Sequence, residues 1–459
     1  MARPPTAEAA TRTRDTIYAL ASGPGRSAVA VIRISGGKAT AALSGLGGRP
    51  PGPPRQATLR RLRDPARGGE PLDQALTLWF PAPASFTGED MAELHVHGGR
   101  SVIAAVLDAL GAMPGLRPAE PGEFARRAFD NGRLDLVEAE GIADLIAAET
   151  AAQRRQALRQ MGGALGKLYE GWRKGIIETM ALAEAVIDFS DQDLPATIQV
   201  EIEAAIRRLK DGIGKHLADG RRGEILRDGL EIAVLGPPNA GKSSLVNLLA
   251  RRDVAIVSAS AGTTRDVIEV RLDLGGYPVV LADTAGLREA ADEVEAEGVR
   301  RALARAEAAD LNLVVLDGAA WPALDPGIVR LMDSKTIVVL NKIDLLGGDN
   351  KASLCNIGGH PVVPLSCRTG AGLDALLARL EKEAERRMAV QAEPALTQAR
   401  HRHALEEAHA ALRRAERAGA PELAAEDLRL AARALGRITG RVDVEDVLDA
   451  VFATFCIGK

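Results

Sequence analysis

The chain contains LEIAVLGPPNAGKS at residues 230–243, where a short apolar run leads into a glycine-rich loop that ends in Lys-Ser. The loop fits the pattern G-x-x-x-x-G-K-[ST], and the helical run SLVNLLA (244–250) follows it. In this pattern backbone N–H groups wrap the phosphates of a nucleotide, and the helix N-terminus adds a favourable dipole. We expect Lys242 to neutralise the β- and γ-phosphate oxygens and the Ser243 hydroxyl to bind Mg²⁺.

Four more motifs follow, three of them at the end of a short apolar run. Asp283-Thr284-Ala285-Gly286 ends YPVVLAD, where an Asp can hold the magnesium shell and a Gly amide can sense the γ-phosphate. Asn341-Lys342-Ile343-Asp344 ends TIVVL and offers a carboxylate to the N1–H and amine of guanine, which adenine lacks. Ser366-Cys367-Arg368 can close the base pocket with backbone amides, and GTTRD (262–266) occupies the position of a switch loop.

These five elements in order predict a GTPase and not an ATPase. The motifs place the following residues at the nucleotide: Asn239, Ala240, Gly241, Lys242, Ser243, Ser244, Asp283, Thr284, Ala285, Gly286, Asn341, Lys342, Asp344, Ser366, Cys367 and Arg368.

One position departs from the Ras pattern. Ras-type enzymes have a water-orienting Gln after the Asp-x-x-Gly element, whereas Leu287 follows Gly286 here and cannot polarise water. Hydrolysis therefore needs an acid on a moving loop, a cation or a partner. The alternative is a slow switch with little intrinsic hydrolysis.

The order of apolar runs and helical segments predicts that an α/β domain is inserted into a helical domain. Short apolar runs at 230–235, 277–283, 311–317, 336–342 and 361–366 alternate with helix-length segments, which is typical of a parallel sheet covered by helices. The flanking segments are Ala-rich and helical, and Leu165, Trp172 and Ile176 begin an amphipathic stripe. Residues before 131 alternate strands and helices, with Ser101 as the expected N-cap of one helix and Asp443 of the last.

We therefore expect a multidomain α/β and α protein. Its segments are an N-terminal α+β domain (1–130), a discontinuous helical domain (131–227 and 391–459) and an inserted P-loop GTPase domain of Ras-like type (228–390).

Composition limits the class further. The chain has 459 residues, 46% hydrophobic and 26% charged, which excludes a disordered or collagen-like protein. A net charge of −4 argues against coating nucleic acid by bulk electrostatics but leaves room for local basic patches. Three cysteines without metal-like spacing exclude a disulfide scaffold and a zinc ribbon, and no run reaches the length of a membrane span. We expect a cytoplasmic protein.

Together with these motifs, several further stretches resemble one family, the tRNA modification GTPase MnmE, also known as TrmE. They are Asp15-Thr16-Ile17, Arg33-Ile34-Ser35-Gly36, Ser85-Phe86-Thr87-Gly88-Glu89-Asp90, His97-Gly98-Gly99, Pro121-Gly122-Glu123-Phe124 and the tail Cys456-Ile457-Gly458-Lys459. The resemblance implies an N-terminal domain that forms a homodimer and binds a 5-formyl- or methylene-tetrahydrofolate. By motif matching, Arg33, Glu93, Arg133 and Lys459 contact the folate. The family usually has Lys where Arg133 stands, and a guanidinium keeps the charge but changes the reach and geometry of that contact.

The resemblance also explains the missing Gln. It implies a K⁺ ion beside the phosphates, held by Asn239, Ser258, Ser260 and Thr263, which supplies charge and dimerises the G domains. It places Ser258, Thr263 and Thr264 at the GTP, with Thr264 joining Ser243 on Mg²⁺. The water-orienting acid matches Glu295, although the surrounding acidic run fits a solvated helix start equally well.

The roles of the cysteines and of two histidines have alternative interpretations. Cys456 lies in a Gly-containing tail and is catalytic by the resemblance, whereas a lone cysteine is usually inert packing. Cys355 is expected to be structural, and Cys367 to act through its backbone. His95 and His97 share a strand face without a third ligand, which favours a polar face over a metal site.

Basic residues on two predicted helices form either a tRNA-facing stripe or an ordinary solvated face. They are Arg154, Arg155, Arg159, Lys167, Arg173 and Lys174. The resemblance implies that, with the FAD-dependent partner MnmG (GidA), the protein installs a carboxymethylaminomethyl-type group at C5 of the wobble uridine of tRNA. The alternative is a GTP-regulated RNA-binding or ribosome-assembly switch without covalent chemistry.

Overall fold

The structure is a computed structural model of the chain. It describes residues 15–23, 25–189, 195–252, 254–256, 269–283, 304–321, 332–346, 356–389, 394–442, 445–453 and 455–458. The chain folds into two compact units. The first unit is Met1–Ala143 with Gln160–Gln192 and Ala420–Lys459, and the second is Asp144–Arg159 with Asp193–Gly419.

The described strands lie in two groups, at 16–118 and 230–364, and a long helical segment follows each group. The strands are β1 (Thr16–Leu20), β2 (Ser27–Ser35), β3 (Thr58–Asp64), β4 (Glu70–Phe80), β5 (Met91–Gly98), β6 (Leu116–Pro118), β7 (Leu230–Leu235), β8 (Glu269–Leu274), β9 (Tyr277–Asp283), β10 (Leu311–Asp317), β11 (Thr336–Asn341), β12 (Asn356–Ile357) and β13 (His360–Pro364). The α-helices are α1 (Ala39–Gly47), α2 (Arg100–Gly111), α3 (Glu123–Asp130), α4 (Leu136–Ala147), α5 (Ala151–Met161), α6 (Ala164–Asp188), α7 (Ala196–Leu217), α8 (Arg222–Asp228), α9 (Lys242–Ala250), α10 (Leu373–Met388), α11 (Ala399–Ala415), α12 (Pro421–Thr439) and α13 (Glu445–Ala453).

The first unit contains a sheet of order β3-β4-β5-β2-β1-β6. Alternation separates its two faces: on β5, Leu94 and Val96 enter the core, whereas Glu93, His95 and His97 point the other way. Helices α1 and α2 cover the apolar face and bury Leu43 and Leu110, among others. The strands and helices predicted before residue 131 are therefore confirmed.

Helices of the same unit continue its packing. The predicted stripe of α6 buries Leu165, Ile176 and Ala183, and α6 lies against α12. Helix α13 packs on α3, where the rings of Phe129 and Phe452 have centroids 6.4 Å apart.

The second unit contains a sheet of order β12-β13-β11-β10-β7-β9-β8. Strands β7, β9, β10, β11 and β13 are parallel, as their apolar runs predict, and β7, β10 and β11 are buried along nearly their whole length. The sheet is mixed, however, because β8 and β12 add antiparallel edges. Alternating exposed and buried residues in β8 gave no continuous apolar run to find.

One predicted cap is wrong. The helix α2 begins at Arg100 with Gly99 as its N-cap and no side-chain capping bond, so Ser101 lies inside its first turn. Asp443 lies outside the described residues. Among the helices that the structure describes, none is long and apolar enough to cross a membrane.

Candidate functional site

The phosphate loop joins β7 to α9. Asn239 and Gly241 have φ of 62° and 98°, in the left-handed region, and Gly241 is the N-cap of α9. The Lys242 ammonium folds back over the loop and donates to the carbonyl oxygens of Gly236 and Pro237, both at 2.9 Å. Because an ammonium prefers phosphate oxygens to neutral carbonyls, this lysine is placed to bind a nucleotide phosphate.

Asn341 links the phosphate loop to the base loop. Its buried Nδ2 donates to the carbonyl oxygen of Ala240 at 2.9 Å, and its Oδ1 accepts from the N–H of Cys367 at 3.0 Å. Gly241 must lack a side chain here, since a Cβ would lie 2.2 Å from Asn341 Nδ2. The amide thus fixes two loops that come from β7 and β13 and meet at one edge of the sheet.

Asp344 presents a carboxylate beside this amide. Ser366 Oγ donates to its Oδ1 at 2.6 Å, and the Arg368 guanidinium lies 2.8 Å from its Oδ2. The Ser366 hydrogen bond, with help from Arg368, holds the pKa of Asp344 below its usual value. A carboxylate that stays ionised accepts two hydrogen bonds at once, which matches the paired donors of guanine.

Two neighbouring residues complete the base loop. Lys342, with φ of 62°, forms an ion pair of 2.6 Å with Asp317 at the end of β10. Burial raises the pKa of Asp317, but the hydrogen bond from Lys342 outweighs it and the pKa falls. Asp317 was not among the predicted site residues, although LNLVVLD ends in Asp as YPVVLAD does. Burial raises the pKa of Cys367 to about 11, so its sulfur stays a neutral thiol.

Several predicted site residues lie outside the described part of the chain. The backbone of Asp283 ends β9, but its side chain lies outside the described part. The other residues outside it are Ser258, Ser260, Thr263, Thr264, Thr284, Ala285, Gly286, Leu287, Glu295, Cys355 and Lys459. Ser243 and Ser244 are described, and both are exposed at the start of α9.

A second constellation lies on the first unit's sheet. Arg33 on β2 stands directly opposite Glu93 on β5, and its Nε and Nη2 donate to Glu93 Oε1 at 3.2 and 3.1 Å. The guanidinium also lies over the rings of Phe86 and Phe124, at 5.4 and 5.8 Å from their centroids. Both rings belong to motifs quoted above, but no sequence signal showed that they enclose Arg33.

Helix α3, which carries Phe124, also holds a buried ionic network. Arg127 on α3 donates to Glu89 at 3.0 Å, to Glu123 at 3.0 Å and to the carbonyl oxygen of Asp15 at 2.9 Å. Arg127 is 4% exposed, so these groups compensate a charge removed from water.

The predicted folate contact Arg133 lies next to the loop between β4 and β5, which carries Phe86. It is exposed and passes close to Gly88, where a Cβ would lie 3.2 Å from Arg133 Cγ. Asn131 Nδ2 donates to the carbonyl oxygen of Thr87 at 2.7 Å and holds the segment before Arg133 in place.

The C-terminal tail reaches the same sheet. Ile457 forms an isolated bridge with Pro121, and Cys456 is exposed beside it. Gly458, with φ of 94°, packs so closely that a Cβ would lie 2.3 Å from the carbonyl oxygen of Leu20. Leu20 follows Ala19, the β1 partner of Arg33, so Gly458 packs against the strand next to the one that carries Arg33.

The remaining candidates are two histidines on β5 and the basic residues of α5 and α6. His95 Nε2 lies 3.4 Å from Glu93 Oε2 and His97 Nδ1 lies 2.8 Å from Asp73 Oδ1, as in a polar strand face. No group of metal-binding side chains occurs in the part of the chain that the structure describes. Arg154, Arg155, Arg159, Lys167 and Lys174 are exposed, whereas Arg173 is half-buried and pairs with Glu170 at 3.2 Å.

Comparison with known proteins places the chain in one family. The profile of the MnmE helical domain matches residues 136–456, and that of the GTP-binding protein TrmE N-terminus matches residues 16–133. The tRNA modification GTPase MnmE of Paramagnetospirillum magneticum is 59% identical over 445 residues, covering 97% of this chain and 100% of that protein. MnmE of Rhodospirillum rubrum is 58% identical over 458 residues, with the same coverage of both chains.

These matches extend over both units and agree with the phosphate loop, the guanine-recognising carboxylate and the second constellation. The chain belongs to the MnmE (TrmE) family and is a GTPase that acts in tRNA modification, binding GTP with Mg²⁺.

Proposed function

We propose that this GTPase installs a carboxymethylaminomethyl-type group at C5 of the wobble uridine of tRNA, with a tetrahydrofolate one-carbon unit. The FAD-dependent protein MnmG (GidA) is the proposed partner, in a heterotetramer or a larger complex, and the cytoplasm the proposed compartment. The observation that carries the proposal is that one sheet holds the Arg33–Glu93 pair on β2 and β5 and has the Cys456 tail packed against the end of its strand β1.

The residues around Arg33 fit a folate. The Glu93 carboxylate can accept from the N–H groups of a pterin, and the two hydrogen bonds from Arg33 orient that carboxylate. Phe86 and Phe124 offer aromatic surface beside the charged pair. Arg133 and Lys459 are the proposed further contacts. A bound 5-formyl- or methylene-tetrahydrofolate supplies the carbon that becomes attached to the base.

At the nucleotide site, Asp344 selects guanine and Lys242 neutralises the phosphates. We place Ser243 and Thr264 on Mg²⁺, and Asn239, Ser258, Ser260 and Thr263 on a K⁺ ion that stabilises the transition-state charge. Glu295 is the proposed acid that orients water in place of the missing Gln. Hydrolysis then drives opening and closing of paired G domains within a homodimer.

The domain boundaries at 130/131, 227/228 and 390/391 belong to this proposal. They assign the folate site to residues 1–130, GTP hydrolysis to 228–390, and the Cys456 tail to the second part of a discontinuous helical domain.

The modification reaction is tested on tRNA itself. Nucleosides of tRNA from cells that lack the protein are analysed by mass spectrometry. A wobble uridine that carries the same modification as in wild-type cells would overturn the proposal. The variant Cys456→Ser is expected to hydrolyse GTP normally yet fail to restore the modification. Because Cys456 is exposed, its replacement by an isosteric hydroxyl leaves the fold intact; full modification by this variant would remove Cys456 from the mechanism.

The monovalent cation is tested separately. GTP turnover is measured in K⁺ and in Na⁺ at equal ionic strength, and we expect much faster turnover in K⁺. Equal turnover in the two salts would contradict the cation site without affecting the folate chemistry.

A further inference from the structure

An arginine-rich edge of the first unit's sheet lies outside both sites. Between Asp15 and Asp64 the sequence contains no Asp or Glu, although it carries several arginines. Four of them line the edge strand β3 and the end of α1, and we refer to them as the arginine edge: Arg49, Arg60, Arg61 and Arg63. None of the four forms an ion pair within the part of the chain that the structure describes.

Arg60 gives this edge a buried positive charge. It is 3% exposed, and its two terminal nitrogens donate to the carbonyl oxygens of Arg49 at 2.7 Å and Pro50 at 2.6 Å. Its buried Nε has no hydrogen-bond partner among the described residues. Gly47 leaves room for the guanidinium, since a Cβ there would lie 3.0 Å from Arg60 Nη1.

A buried guanidinium is normally compensated by a carboxylate. Burial, followed by the nearby charge of Arg49, lowers the pKa of Arg60, but an arginine remains charged at neutral pH. The neighbouring acids are engaged elsewhere, since Asp64 pairs with Arg67 and Asp73 with His97. The arginine edge therefore holds positive charge that a bound anion can compensate.

The exposed arginines extend this charge along the strand. Arg61 and Arg63 point away from the core, and residues two apart on a strand lie about 7 Å from each other. With Arg49, Arg60 and Gln74 they line a cavity of about 360 Å³. The charges thus stand on both sides of an edge strand, which suits an extended polyanion and not a single small anion.

We propose that the arginine edge binds the phosphate backbone of the tRNA substrate. The inference rests on the tRNA modification function of the family, and on the match between the arginine fork and the two oxygens of a phosphate. It gives the acidic chain, of net charge −4, a local basic surface for RNA.

The test compares two doubly substituted full-length chains. Arg61→Ala with Arg63→Ala removes two exposed charges of the arginine edge. Arg386→Ala with Arg429→Ala removes two exposed, ion-paired charges from helices α10 and α12 and serves as the matched control. Binding of an unmodified tRNA transcript is followed by fluorescence anisotropy at KCl concentrations from about 50 to about 200 mM. Over this range the slope of log affinity against log salt reports the number of phosphate contacts.

We expect the arginine-edge variant to bind tRNA about ten-fold more weakly than the control. Its slope of log affinity against log salt should be smaller by about 2, or about 1 for each lost phosphate contact. GTP turnover is expected to stay unchanged, which shows that the chain is folded. Equal affinity and equal slope in the two variants would overturn the proposal, as would a wild-type chain that binds no tRNA by itself.

Sedimentation equilibrium tests the remaining explanation, which is that the arginine edge is a protein interface. An arginine-edge variant that changes its oligomeric state, while its tRNA affinity matches the control, would assign the edge to a protein interface and overturn the RNA proposal. None of these outcomes depends on the folate chemistry, which is judged by the wobble nucleoside analysis.

Discussion

Asp344 illustrates how a single side chain selects the base. Its carboxylate only accepts hydrogen bonds, and Ser366 and Arg368 keep it ionised. The substitution Asp344→Asn places a donor against the guanine amine, and a lost bond to a charged group costs about 1.5–3 kcal/mol. We expect GTP affinity to fall by about 100-fold while affinity for xanthosine triphosphate rises, since xanthine carries a carbonyl where guanine has the amine.

Titration calorimetry with both nucleotides measures this exchange. The control is Asp374→Asn, an exposed carboxylate in the first turn of α10, which should bind GTP like the wild type. Undiminished GTP affinity in Asp344→Asn would show that this carboxylate does not read the base.

Arg127 and Arg126 are adjacent, but they differ in burial. Arg127 is buried with Glu89 and Glu123, whereas the partner of Arg126, Asp449, is 68% exposed. Removing one member of a buried ionic network costs about 3–5 kcal/mol, and a surface pair is worth about 0–1 kcal/mol. We therefore expect Arg127→Met to lower the melting temperature by roughly 10 °C and Arg126→Met by only about 1 or 2 °C, in line with known scaling. Similar melting temperatures for the two variants in a thermal unfolding scan would contradict this difference.

Glu123 links the same network to pH. Burial raises the pKa of its carboxyl, but the hydrogen bond from Arg117 at 2.6 Å and the charge of Arg127 outweigh burial, and the pKa is lowered. A lowered folded-state pKa stabilises the protein above the unfolded value of about 4.3, and the benefit is lost as the pH falls through the folded value. Wild type should thus melt above Glu123→Gln at pH 7, and the gap should shrink on acidification below about pH 5. A gap that stays constant down to pH 3 would exclude this ionisation as its source.

At the scale of elements, the turn from β7 into α9 depends on one glycine. Gly241 combines φ of 98° with a position where a Cβ would lie 2.2 Å from Asn341 Nδ2. We expect Gly241→Ala to abolish GTP binding and lower the melting temperature, because the turn and the Asn341 bond cannot both survive.

Gly171, in the middle of α6, is the matched control for this substitution. No atom lies within 4 Å of a Cβ built there, and alanine is about 1 kcal/mol more favourable than glycine in a helix interior. Gly171→Ala should therefore raise the melting temperature and leave GTP binding intact. A shift of the melting temperature in the same direction for both alanine variants would contradict the role given to Gly241.

The sequence predicted elements well where burial was continuous or strictly periodic. The strands β7 and β10 are buried along nearly their whole length, so their apolar runs matched the structure, and the α6 stripe repeats at helical spacing. The sequence did not predict the edge strand β8, because that strand is half-exposed. The prediction that Ser101 caps α2 is wrong because the helix begins one residue earlier, at Arg100.

The sites follow the same logic. Motif spacing located the nucleotide loops, but it could not reveal that Asn341 joins two of them, since that bond spans 101 residues. Likewise the position of Arg33 over the rings of Phe86 and Phe124 depends on how β2, the loop that carries Phe86 and helix α3 meet in three dimensions. The burial of Arg60 follows from the packing of α1 beside β3, which a stretch of several arginines does not indicate.

At the scale of the whole molecule, the last residues of the chain return to its first strand. Gly458 packs with φ of 94° against the carbonyl oxygen of Leu20, and Ile457 pairs with Pro121, so the tail is held within the first unit. The nucleotide loops lie wholly in the second unit. A substitution that dislodges only the tail should therefore separate modification from GTP hydrolysis.

Gly458→Ala is that substitution, because a Cβ 2.3 Å from Leu20 O forces the tail away from β1. We expect wobble-uridine modification, measured by mass spectrometry of tRNA nucleosides, to fall by about ten-fold or more, an order-of-magnitude figure for a misplaced reacting group. GTP turnover should match that of Gly419→Ala, where no atom lies within 4 Å of an added Cβ. If Gly458→Ala modifies tRNA as fast as Gly419→Ala, the docked position of the tail has no part in the reaction; if it loses GTP turnover as well, the two units are not independent in the way that their separate sites imply.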